Sequence, residues 1–135
     1  MTGDWSDRKP PDIDEFCRLA RAAFDTLPNE FRAACGDVII RVEECADDAI
    51  LDQMGIDDAY ELTGLYEGVD LTQRSLNDIA ESPDCVFLYR LPILAEWVDN
   101  GYVTLGDLIK HVLVHEIGHH FGLSDEDMQK IENSR

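Results

Sequence analysis

Apolar residues recur at helical spacing near the start of the chain. Ile13, Phe16, Cys17, Ala20, Ala23, Phe24 and Leu27 share one face, which predicts an amphipathic helix over 12–27. Asp12 with Glu15 forms a capping box at its start. Pro28 stops it or begins a new turn, and 28–35 reads as a short second helix ended by Gly36. Val38-Ile39-Ile40-Arg41-Val42 is brief and β-branched, the mark of a strand. The acidic stretch 43–58 shows little pattern beyond Ile50, Leu51 and Met54, and predicts a short helix or a loop. Leu65 and Tyr66 are flanked by Gly64 and Gly68, a strand over 62–69 with a bulge or a close backbone approach at the glycines. The polar stretch 71–83 reads as a loop.

Cys85-Val86-Phe87-Leu88-Tyr89-Arg90 is almost continuously apolar, as a central strand covered on both faces would be. A helix follows over 92–98, closed by Asn100-Gly101. Thr104 with Asp107 makes another capping box, and a long helix runs from there to about Phe121. Ile109, Val112, Leu113, Ile117 and Phe121 form its buried side. Ser124 and Asp127 start a last short helix that reaches Asn133. This order predicts an α+β fold with a small sheet of about three strands, covered by the N-terminal helix and the long helix. Residues 1–11 read as a flexible tail ahead of a single domain over 12–135.

The charge narrows the choice of partners. The net charge is −18 over 135 residues. So negative a surface repels phosphate backbones and anionic membranes, which disfavours nucleic acid and membrane as partners. The N-terminal residues are polar and carry no apolar core, unlike a signal peptide, and no apolar run approaches the roughly 20 residues of a membrane span. A cytoplasmic protein is expected. Cys17, Cys35, Cys45 and Cys85 are scattered without paired spacing, and in the cytosol they stay free thiols.

The chemistry concentrates in His115-Glu116-Ile117-Gly118-His119-His120-Phe121-Gly122-Leu123-Ser124-Asp125. His115 and His119 are four apart, hence on one helix face and about 6 Å apart along the axis. Two imidazoles so placed can grip one metal ion, most often zinc. Glu116 lies roughly 100° around the helix, where it flanks the metal and can take a proton from water. Gly122 can end the helix with a positive φ, and Asp125 is the first ligand-type side chain after the turn. His115, His119 and Asp125 supply the three protein ligands of a catalytic zinc site, with one zinc per chain expected. All four histidines lie within ten residues. His111 to His119 spans about 12 Å of axis, too far for one ion, so His111 reads as a surface or core histidine.

This stretch resembles the active-site helix of zincin metallopeptidases, and in particular the small bacterial zincin-like metallopeptidases of minimal size. The similarity extends to Gly64-Leu65-Tyr66-Glu67-Gly68-Val69, Leu88-Tyr89-Arg90 and Pro92-Ile93-Leu94. Metzincins share the long motif but need a methionine turn downstream, for which Met128 is too close. The resemblance implies a minimal zincin-like fold, with a cleft between an edge strand and the metal where an extended peptide adds as a strand. The expected activity is metal-assisted peptide hydrolysis with Glu116 as general base, acting on peptides or unfolded proteins. Cationic ones are favoured by the charge. His120, Tyr89 and Arg90 are candidates for stabilising an oxyanion. For each the plainer role is structural: packing or support of the site for His120, core packing for Tyr89, and pairing with an acid for Arg90. Two other readings stand beside the peptidase. One is a hydrolase of a non-peptide substrate such as RNA, against which the charge and Glu116 both argue. The other is a zincin-shaped metal-binding or interaction module without activity. A structural zinc would want a fourth protein ligand, and none is apparent.

Overall fold

The computed structural model describes residues 6–68 and 84–133. The loop read over 71–83, Val69 and the first five residues of the tail lie outside them. The first helix, α1 (Ile13–Asp25), begins where Asp12 Oδ1 accepts the Glu15 N–H at 2.8 Å. It buries Phe16, Ala20, Ala23 and Phe24 on one face. Ahead of it, the Pro11 carbonyl accepts from Arg90 Nε at 2.7 Å. Helix α2 (Asn29–Cys35) follows Pro28 and ends at Gly36. Strand β1 (Ile39–Glu43) comes next.

Within the acidic stretch the outcome is a helix, α3 (Asp48–Met54), after which a single 3-10 turn spans Ala59–Glu61. Asp47 Oδ1 caps α3 by accepting from the Ile50 N–H at 2.9 Å. Strand β2 (Gly64–Glu67) and strand β3 (Cys85–Tyr89) complete a three-stranded sheet in the order β1-β3-β2. Strand β1 runs parallel to β3, pairing Ile40 with Val86 and Val42 with Leu88. Strand β2 runs antiparallel, pairing Leu65 with Phe87 and Tyr66 with Val86.

The centre of the sheet falls on β3, as its apolar run predicts. Val86 and Leu88 face the main core with α1 and the long helix. Phe87 and Tyr89 face the opposite way into a smaller cluster with Leu51, Leu62 and Leu65. Alternate residues thus enter two cores, with Val86, Leu88 and Tyr89 fully buried and Phe87 half-buried.

Helix α4 (Arg90–Asn100) leaves β3 without a break and ends at Gly101, whose φ is 70°. It starts two residues earlier than the pattern predicts. Pro92 is its third residue, in the first turn, where a backbone N–H has no intrahelical acceptor to lose. Arg90 therefore opens a helix instead of closing a strand. Helix α5 (Leu105–His120) is capped by Thr104, whose Oγ1 accepts the Asp107 N–H at 3.1 Å. It buries Ile109, Leu113, Val114 and Ile117 completely. Phe121, expected on that buried side, is the C-cap of α5 and is exposed. Helix α6 (Asp125–Asn133) ends the described chain. The architecture is α+β, with α1 and α5 packed together on one face of the sheet.

Candidate metal centre

The site is built by the way α5 ends. Gly122 adopts φ 74°. The Leu123 N–H donates to the Gly118 carbonyl at 2.9 Å and the Gly122 N–H to the His119 carbonyl at 3.1 Å. This pair of bonds reverses the chain after a helix, and the left-handed residue it needs is best supplied by glycine. Ser124 Oγ then accepts the Asp127 N–H at 3.1 Å and starts α6, so Asp125 is the first residue of the new helix. Helix α6 is drawn tight against α5 at Gly118. A Cβ there would lie 2.4 Å from Met128 Sδ, and Met128 is fully buried.

The result brings together the three residues expected as ligands. His115, His119 and Asp125 each offer a ligand atom within 4.8 Å of the other two. The His115 and His119 rings stand edge to face with centroids 5.8 Å apart. Bonds of roughly 2 Å to a shared ion put ligand atoms at most about 4 Å apart, so a small side-chain rotation suffices. The donor set of two imidazoles and a carboxylate fits zinc. His119 and Asp125 are exposed, which leaves one side of the set open to water. Burial, followed by the neighbouring His111, lowers the His115 pKa from its ordinary 6.5. A neutral imidazole, the form that binds metal, is therefore favoured at neutral pH.

Glu116 stands outside the ligand set and is half-buried. It lies between α5 and β2, in space that Gly64 leaves clear: a Cβ on Gly64 would come 3.1 Å from Glu116 Cγ and 2.8 Å from Val112 Cγ1. Here the glycine serves close approach, as its position in the strand implies. Burial raises the Glu116 pKa, while His119 and a hydrogen bond from the Tyr66 backbone N–H pull it down. Because β2 is an edge strand, that N–H ties Glu116 to the sheet edge beside the ligands.

His120 stacks on Tyr66, with ring centroids 4.0 Å apart and planes at 22°. Its Nε2 lies 4.0 Å from Asp84 Oδ2, and Tyr66 Oη donates to the same oxygen at 2.7 Å. Gly68 makes room for the ring, since a Cβ there would meet His120 Cε1 at 2.5 Å. His120 is thus fixed next to the strand that holds Glu116. The other two oxyanion candidates take their structural roles. Tyr89 is fully buried with Ala46, Leu51 and Leu62. Arg90 binds the Pro11 carbonyl and, through Nη1, both oxygens of Glu44 at 3.0 and 3.3 Å.

Three residues of the neighbourhood escape the sequence reading: Tyr66, Asp84 and Glu132. Glu132 Oε1 lies 2.8 Å from His111 Nδ1 and 3.1 Å from His115 Nε2. Its position seven residues after Asp125, two helical turns on, places both carboxylates on one face of α6, a signal that was present. A groove of about 810 Å³ lies along α1 and α5, lined by Leu19, Ala22, Thr26, Lys110 and Glu132 among others. It does not include His119 or Asp125.

The model of the zincin-like metallopeptidase family matches residues 35–135. The chain belongs to that family. The match takes in β1, the edge strand β2, the central strand β3 and the whole helix pair that carries the zincin-like site, while α1 lies outside it. No curated protein matches the chain.

Proposed function

We propose that the chain is a zinc-dependent peptidase in which His115, His119 and Asp125 hold one ion and Glu116 is the general base. The observation that carries this reading is the place of Glu116. It adjoins the ligand helix face, is counted out of the ligand set, and has a pKa raised by burial. A base is most effective when its pKa moves toward the working pH. When bound, zinc polarises the scissile carbonyl and lowers the pKa of water at the open position.

The chain's own residues do the rest. An extended peptide pairs along β2, the strand at the sheet edge beside the ligands, which sets its scissile bond over the His115–His119 face. Glu116 takes a proton from the attacking water and passes it to the leaving amine. His120, braced by Tyr66 and Gly68, is the donor best placed to stabilise the oxyanion. The net charge of −18 favours cationic peptides. A cytosolic setting belongs to the same proposal and is supported by four free cysteines. Among the described residues no helix is long and apolar enough to cross a membrane.

The test is Glu116→Gln, which keeps size and removes the base. Zinc content should stay near one per chain, and turnover should fall about 100-fold or more. Unfolded protein and a mixed peptide library rich in basic members, read by mass spectrometry for new termini, serve as substrates. Undiminished cleavage by the variant overturns the mechanism. If zinc-loaded wild type cleaves nothing, the chain is a metal-binding or interaction module instead.

A further inference from the structure

The geometry points to a second divalent-cation site, formed by His111, His115 and Glu132, that shares His115 with the proposed catalytic set. This goes beyond the peptidase reading and does not depend on it. Each of the three residues offers a ligand atom within 4.8 Å of the others. The His111 and His115 rings lie 4.0 Å apart between centroids. Two turns of α5 supply the imidazoles and the last turn of α6 supplies the carboxylate. This repeats the plan of the first set, one turn earlier on α5 and two turns later on α6.

Hydrogen bonding among the described residues does not account for the cluster. Glu132 Oε1 is shielded from solvent and has no hydrogen-bond donor among the described residues, while two ring nitrogens crowd it at 2.8 and 3.1 Å. A buried carboxylate oxygen without a donor is costly. A cation shared by the two nitrogens and this oxygen satisfies all three. Two imidazoles and one carboxylate suit the borderline divalent ions, zinc, cobalt and nickel. Close packing at Gly118 and Met128 fixes α6 against α5, so Glu132 is delivered by a packed helix and not by a mobile arm. Because His115 belongs to both sets, an ion held by His111 and Glu132 is withdrawn from His119 and Asp125. The second site is therefore a holding position beside the first.

Zinc binding to the full chain, followed by competition with a chromogenic chelator, decides the matter. Cobalt absorption serves as a second probe, and circular dichroism confirms folding. His119→Ala/Asp125→Ala should retain one zinc per chain, and adding Glu132→Gln should weaken that binding at least 10-fold. His111→Ala/Glu132→Gln should also retain one zinc, with a different cobalt spectrum. If the alanine variant misfolds, His119→Gln/Asp125→Asn replaces it. Loss of stoichiometric zinc in folded His119→Ala/Asp125→Ala, with His111→Ala/Glu132→Gln unaffected, overturns the second site and leaves the peptidase ligands standing. The reverse pattern upholds the second site and removes the peptidase ligand set. Zinc binding by His119→Ala/Asp125→Ala that Glu132→Gln leaves unchanged also overturns the inference.

Discussion

Glu116 occupies a place where a carboxylate charge costs free energy. Burial pushes its pKa above the ordinary 4.5, and neither His119 nor the Tyr66 N–H fully offsets that. The folded state therefore holds the Glu116 proton more tightly than the unfolded chain does. Its contribution to stability is fully present below about pH 4.5, the unfolded value, and is lost as pH rises through the higher folded value. In metal-free protein, Glu116→Gln should match wild type near pH 4 and exceed it in stability at pH 7.5. Urea unfolding in a chelator at the two pH values measures the gap, and a gap independent of pH contradicts the assignment of the shift to burial. The amide oxygen still accepts from Tyr66, so the comparison isolates the charge. Residues of this kind were legible where chemistry and local spacing coincide: His115, Glu116, His119 and Asp125 lie within eleven positions. Tyr66 was not legible in the same way. Its part is played by a backbone N–H, which every residue but proline carries, and only Gly64 and Gly68 marked where β2 comes close to α5.

At the scale of elements, boundaries were readable wherever a side chain caps the backbone. Asp12 and Thr104 mark the starts of α1 and α5 because their oxygens accept orphan N–H groups. The same logic applies to Asp47 and Gly55, which bracket α3, but the apolar face of that helix is so small that no periodicity drew attention to it. Helix α6 owes its place to Gly118. Gly118→Ala pushes a methyl group into Met128 Sδ and Cγ, and the buried thioether has little room to withdraw. Overpacking of this kind costs about 1–3 kcal/mol. The melting temperature should fall by several degrees. Asp125 rides on the displaced helix, so zinc should bind about 10-fold more weakly. In a Met128→Ala background the added cost of Gly118→Ala should shrink, since the two changes share one contact. Purely additive melting temperatures across the four proteins count against this account of the α5–α6 junction.

Over the whole molecule, the α+β class followed from the order of elements, but the sheet order β1-β3-β2 did not. Pairing between β1 and β3 joins Ile39 to Cys85, and no local pattern specifies so distant a partner. What could be foreseen was the centre, because β3 alone is apolar at nearly every position. That centre also decides how the fold answers to metal. The main core runs through Phe16, Val86, Leu88, Ile109, Leu113 and Ile117, and none of these is a ligand. His119 and Asp125 stand at the surface on one edge of it. A zinc finger unfolds without its ion because the ion replaces a core, whereas here the core is complete beside the site. Chelation should therefore leave the helical circular dichroism unchanged. Zinc should still stabilise the folded state by mass action, about 2.7 kcal/mol at a free concentration 100 times the Kd. The melting temperature should thus climb with added zinc while the metal-free spectrum stays native. That climb should vanish in His115→Ala, which removes the one ligand common to both candidate sets. Loss of helical signal on chelation would make the metal a structural element and the core argument wrong.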